Sequence, residues 1–195
     1  RLLGLYSREH PNIEVSLFVG NREQLLERLA TNRDDLYILG RPPETLRVDA
    51  EPFAENRLVL VAAAGHPLAG ETGIPPERLN GQPFILRESG SGTRRAVERF
   101  FDRSDVTPRT RMELGSNEAI KQTVASGLGV AVLSESTVRS ELKSGEIVLL
   151  DVQGFPLRRQ WYVVHPKGKQ LSPAAAAFRA FLFSMADEID VGNEP

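Results

Sequence analysis

The stretch that decides the fold is Phe84–Phe101, "FILRESGSGTRRAVERFF". Its first part, with Pro83 the run "PFILR", is short and apolar like a buried strand. Glycines and serines then break it, and Ala96, Val97, Phe100 and Phe101 recur at helical spacing. Strand, turn and helix in this order raise the question of a phosphate loop. A Walker A loop needs G-x-x-x-x-G-K-[ST]; with Gly92 as its second glycine, positions 87 and 93 should be Gly and Lys, but they are Arg87 and Thr93. That motif fails. What is left is a helix N-terminus, whose free N–H groups and dipole favour an anion. Ser89, Ser91 and Thr93 add hydroxyls, and Arg87, Arg94 or Arg95 could add charge-assisted bonds to a carboxylate or phosphate. The plainer alternative is that Ser91 only caps the helix and the arginines are solvated.

The same unit recurs. "ELGSNEAIK" (Glu113–Lys121) again follows a strand and opens a helix, with Ser116 or Asn117 as cap, and "SGLGVAVLS" (Ser126–Ser134) turns from that helix into the next strand. Working outward, Arg1–Glu9 is helical until Pro11, and "IEVSLFV" (Ile13–Val19) is expected to be a strand. Asn21 with Gln24 resembles a capping box for a helix burying Leu25, Leu26, Leu29 and Ala30, and "LYILG" (Leu36–Gly40) is the next strand. "RLVLVAAA" (Arg57–Ala64), a helix closed by Gly145, "IVLLDV" (Ile147–Val152), "QWYVVH" (Gln160–His165) and a helix opened by Ser172 and Pro173 complete the pattern. Such alternation predicts mostly parallel sheets covered by helices on both faces. Phe53–Pro67 and Asp151–Pro166 read as two crossings between lobes. They predict lobe I over residues 1–62 plus 163–195 and lobe II over 63–162. Asn21 and Arg41 each follow an expected strand in lobe I; as isolated positions they also fit a cap and a surface residue.

Composition limits the function. The 195 residues are 41% hydrophobic and 26% charged, with net charge −2 and pI near 6.0, so no basic excess favours nucleic acid or an anionic membrane. No apolar run approaches the roughly 18 residues of a membrane span, and the N-terminus lacks the layout of a signal peptide. With no cysteine, disulfides, thiolate metal sites and cysteine nucleophiles are excluded. His10, His66 and His165 all precede proline, a context of extended turns, so no metal or cofactor is expected. There is no G-x-S-x-G elbow, and the expectation is a binding protein rather than an enzyme.

Three segments in order carry a family resemblance: "VGNREQLLERLATNRDDLYILGRPPE" (Val19–Glu44), Phe84–Phe101, and "ELGSNEAIKQTVASGLGVAVLSESTV" (Glu113–Val138). Together they resemble the effector-binding domain of LysR-type transcriptional regulators, most similar to the branch controlling CO2-fixation operons. The resemblance implies an α/β fold of two Rossmann-like lobes with a central cleft, of the type 2 periplasmic-binding-protein kind. It implies a small anionic metabolite in that cleft, phosphorylated or carboxylated, with the nicotinamide nucleotide NADPH among the candidates. By matching position, effector contacts would fall on Asn21, Arg41, Arg87, Ser89, Ser91, Gly92, Thr93 and Asn117. It further implies a cytoplasmic homodimer or homotetramer, paired through apolar residues of the first two helices and of Ala119–Leu128 unless these are all core. DNA would be contacted only through a winged helix-turn-helix that this sequence does not contain. The family's opening strand is also not seen, so a gap, or a segment of a neighbouring chain, is expected in the first lobe's sheet.

Two other readings share the scaffold. One is a periplasmic-type solute-binding protein for a small anionic solute. The other is a dehydratase-like enzyme, which would need a carboxylate acid or base and has Glu88 and Glu118 as nearby candidates.

Overall fold

A computed structural model of the chain describes residues 2–186. They divide into two compact units, one running to Glu55 and resuming at Gln160, the other spanning Asn56–Arg159. The lobe boundaries expected from the sequence, 62/63 and 162/163, fall in the same two strands in which the units part.

The first unit starts with α1 (Leu2–Glu9), where Tyr6 is fully buried. Its ring meets Phe178 edge-on at 4.9 Å and its hydroxyl donates to the Ala174 carbonyl, fixing α1 against α6 (Pro173–Ser184). Ser172 caps α6 by accepting from the Ala175 N–H, with Pro173 at the first position, as its sequence requires. Helix α2 (Arg22–Ala30) opens on the full capping box of Asn21 and Gln24. It buries Leu29, with Leu25 and Leu26 packed beside it, against Tyr37 and Leu39 of β1 (Tyr37–Leu39) and Val164 of β7 (Leu157–Pro166). Ala30 lies exposed rather than in the stripe. Strand β1 runs antiparallel to β7, which in turn neighbours β2 (Val48–Ala63).

In the second unit, β2 alternates between two faces. Leu58, Leu60 and Ala62 join one core with Phe84, Ala96, Val97, Phe100 and Phe101, while Val59 and Val61 join another with Ile120, Val124 and Val138. The first core is covered by α3 (Gly92–Ser104), the second by α4 (Asn117–Ala125) and α5 (Glu135–Ser144). Helices therefore flank both faces, as alternation requires. Strands β3 (Pro83–Arg87) and β4 (Arg109–Leu114) pair in parallel, and a parallel bridge joins Phe84 to Val130 at the entry to β5 (Ala131–Ser134).

Two sequence expectations need correction. The sheets are mixed, not mostly parallel: β1 with β7, and β2 with both β5 and β6 (Ile147–Leu149), are antiparallel. The order of elements does not specify which strands become neighbours, and β2 is reached from β1 through a bent loop, residues 40–47, rather than a helical crossover. Second, Ile13–Val19 is not a strand; it pairs with none of the described strands, and Leu17 and Val19 are 65% and 81% exposed. Strand propensity measures fit to a pleated, half-buried surface, and here no such surface receives the segment. Of the Ala119–Leu128 segment, which the sequence left open between a pairing surface and core, Ala119 is exposed while Ile120 and Val124 are buried.

Candidate functional site

Two strand–turn–helix units place their helix starts beside each other in the second unit. The C-terminal end of β3 delivers Arg87, the turn Glu88–Ser91 follows, and Gly90 takes a φ of 85°, a conformation open to glycine and costly for most side chains. Ser91 caps α3: its Oγ accepts the Arg94 N–H and the residue is only 2% exposed. Across from it, β4 leads through Gly115 to Ser116, whose Oγ accepts the Ala119 N–H at the start of α4.

Arg87 ties the two together. Its Nη1 donates to Asn117 Oδ1 at 2.8 Å, on the first residue of α4, while Nε and Nη2 donate to the two carboxylate oxygens of Glu88 at 2.7 and 3.0 Å. Glu113 holds the turn from the other side: one oxygen accepts the Ser89 N–H at 3.2 Å and the other accepts Arg94 Nη1 at 3.1 Å. Arg94 also donates to the Arg87 carbonyl at 3.0 Å, and Arg159 donates to the Gly92 carbonyl at 3.2 Å. Arg87, Ser89, Ser91 and Asn117 thus form one hydrogen-bonded group, with Gly92, held by Arg159, and half-buried Thr93 on the first turn of α3 beside it. This is a place where an anion would meet two helix dipoles and a guanidinium.

Asn21 and Arg41 lie in the other unit. Asn21 Oδ1 is committed to the Gln24 N–H of its capping box at 3.1 Å. Arg22 links the pair by donating to the carbonyls of Arg41 and Pro42 at 2.5 and 3.4 Å, and the Arg41 side chain, 57% exposed, pairs with Glu44. A recess of about 480 Å³ in the same unit is lined by Asp49, Glu51, His165, Lys169 and Arg179. Its cations are already engaged: Arg179 with Glu51, and Lys169 with Asn32 and the Asp34 carbonyl.

The sequence missed Glu113 as the tether of the turn and Arg159 as its second support. It considered Glu88 only as an acid or base. The tether depends on a pairing that the sequence does not specify: in the parallel register Leu86 faces Glu113, which puts a carboxylate beside the turn that follows Arg87. The histidines have structural surroundings. His66 Nδ1 accepts the Leu68 N–H, burial lowering its pKa, and His10 lies against the Tyr6 ring at 4.4 Å. Among the described residues, no three of His, Cys, Asp and Glu are grouped to hold a metal ion. Glu118 pairs with Lys121 at 2.6 Å.

Residues 1–187 match the family described as the LysR substrate binding domain. The chain belongs to that family. Among curated LysR relatives, the RuBisCO operon transcriptional regulator of Acidithiobacillus ferrooxidans is 57% identical over 98% of this chain and 62% of its own length. The transcriptional activator CmpR of Synechocystis is 48% identical over 99% of this chain and 64% of its own. The chain therefore spans less than two thirds of these relatives, which place it in the CO2-fixation branch of LysR regulators. Among solved structures, the regulatory domain of Synechocystis CcmR in complex with 2-phosphoglycolate superposes with a TM-score of 0.93 at 47% identity, covering 97% of this chain and 91% of that one. LysR membership favours an effector-binding regulatory domain over a solute-binding protein or an enzyme.

Proposed function

We propose that this chain is the sensing part of a LysR-type transcriptional regulator and binds a small metabolite anion at the helix starts of α3 and α4. Arg87, Ser89, Ser91, Gly92, Thr93 and Asn117 would supply the site within the second unit. The observation that carries this reading is the contact between Arg87 and Asn117, which brings the guanidinium at the end of β3 to the N-terminus of α4. The 2-phosphoglycolate bound by a 47% identical regulatory domain supports a phosphorylated carboxylate as the kind of effector. An effector that binds one conformational state of the chain better than another would favour that state. It would so shift a homodimer or homotetramer that sets the spacing of DNA-binding domains encoded outside this chain, in the cytoplasm.

Thermal-shift titration with 2-phosphoglycolate, other phosphorylated or carboxylated metabolites and NADPH tests the proposal. At a hundred times its dissociation constant, an effector adds about 2.7 kcal/mol of stability. No shift with any of these compounds counts against the anion reading. A shift with NADPH alone moves the effector class to nucleotides.

A further inference from the structure

The guanidinium best placed to receive an anion is already occupied by one. All three nitrogens of Arg87 are engaged, Nη1 by Asn117 and the Nε/Nη2 edge by both oxygens of Glu88, in the bidentate geometry that a carboxylate or phosphate ligand would itself adopt. The two side chains are 17% and 22% exposed, so the pair is partly withdrawn from water and its contacts are stronger than those of a surface ion pair. The Glu88 carboxyl also lies over the approach to α4. A Cβ built on Gly115, the residue before the Ser116 cap, would lie 4.0 Å from Glu88 Cδ and Oε2, which places the carboxylate in van der Waals range of the residue that leads into α4.

We propose that Glu88 is a built-in competing anion, which an effector must displace from Arg87 in order to bind. The inference rests on the anion site proposed above and deepens it. Glu88 then sets which effectors succeed: a neutral molecule gains nothing by displacing a carboxylate, whereas a phosphate or a second carboxylate replaces both hydrogen bonds and the charge. The tether of Ser89 to Glu113 holds the backbone of the turn while the Glu88 side chain leaves.

Calorimetric titration of the chain with inorganic phosphate and with 2-phosphoglycolate provides the test. E88Q and E88A, which remove the competing charge, are expected to bind both anions about tenfold more tightly, equivalent to about 1.4 kcal/mol. The gain should vanish when R87Q is added, because the competition is for that guanidinium. E88Q and E88A variants that bind no more tightly than the parent overturn the inference, and so does a gain that survives R87Q, since it reports only general charge repulsion. If neither the parent nor the Glu88 variants bind either anion, the anion site itself fails and this inference with it. A measurement on the unaltered chain avoids any folding defect of the variants: the Arg87 Nε–H resonance should move on phosphate saturation as its acceptor changes. A stationary resonance during saturable binding overturns the proposal.

Discussion

Arg87 and Asn117, thirty residues apart in sequence, are joined by a 2.8 Å hydrogen bond from Nη1 to Oδ1 that fixes the end of β3 against the start of α4. A hydrogen bond to a charged group contributes about 1.5–3 kcal/mol where both partners are held in place. N117A is therefore expected to weaken 2-phosphoglycolate binding by about tenfold or more, the equivalent of losing about 1.5 kcal/mol. Calorimetric titration checks this. Undiminished affinity in a folded N117A variant would remove Asn117, and the α4 start with it, from the site.

How much of this was legible in the sequence depends on how local the information is. Ser91, Ser116, Ser172 and the Asn21–Gln24 box all signal their helices within four residues, and each cap is formed. The repeated strand–turn–helix pattern likewise placed Arg87 at a strand end and Ser116 or Asn117 at a helix start, because each occupies a fixed place in its own repeat; the cap is Ser116. Pairing between distant elements carries no such signature. Nothing within Ile13–Val19 says whether a neighbouring strand receives it, and nothing in β2 says that β5 and β6 run against it. The occupation of Arg87 by Glu88 was also hidden: adjacent residues of opposite charge at a strand end pair or diverge according to the turn that follows.

Ser91 combines a cap with burial, and its loss separates folding from binding. S91A removes the acceptor for the Arg94 N–H and should cost about 1 kcal/mol of stability, readable as a lower urea midpoint with an unchanged slope. S91G, which keeps the extended cap conformation, should cost only a few tenths. Equal losses in the two variants would mean that the Ser91 side chain is held for some purpose other than capping.

Lys121 on α4 is only 6% exposed at its side chain and bonds Glu141 of α5 at 2.7 Å and Glu118 at 2.6 Å. The Lys121 ammonium holds the Glu141 carboxyl below the usual carboxylate range, while its hydrogen bonds to Glu118 and Glu141 raise its own pKa. For Glu141 the folded value is depressed. Its contribution is therefore present above the ordinary carboxylate pKa and is lost as pH falls through the lowered one. E141Q should accordingly be less stable than the parent at neutral pH, with the gap closing as pH falls below the ordinary carboxylate range. K121M, which leaves the half-buried Glu141 without its cation, should cost about 1–3 kcal/mol at neutral pH. Urea unfolding of parent and variants across this range checks both; a pH-independent gap for E141Q would show that the pair does not couple folding to protonation.

Gly129 leads into β5 where the chain passes closest to β3. A Cβ there would lie 2.4 Å from the Pro83 carbonyl oxygen, which also accepts the Val130 N–H at 2.9 Å. That neighbour is backbone inside a sheet and cannot turn aside as a side chain would. G129A should therefore destabilise the chain by about 1–3 kcal/mol and weaken the parallel contact between Phe84 and Val130. Faster hydrogen exchange at the Ile85 and Val130 amides would localise the loss.

Residues 13–19 give the sharpest contrast between propensity and structure. Leu17 and Val19 have the apolar, partly β-branched character of a core strand, yet both are largely exposed. If they were buried in a sheet, polar replacement would cost on the order of the 1.5–3 kcal/mol gained by burying such side chains. Exposed as they are, L17N and V19T should each leave stability within about 0.5 kcal/mol of the parent. The Phe18 ring differs from its neighbours: the Arg28 guanidinium lies over it at 4.2 Å, while Arg28 is also bound through Nε to Asp34 at 2.8 Å. F18A should therefore lose about 0.5–1 kcal/mol that L17N and V19T do not. Urea midpoints for the three variants decide the matter, and a loss above about 1.5 kcal/mol for L17N or V19T would mean that this segment is packed in solution.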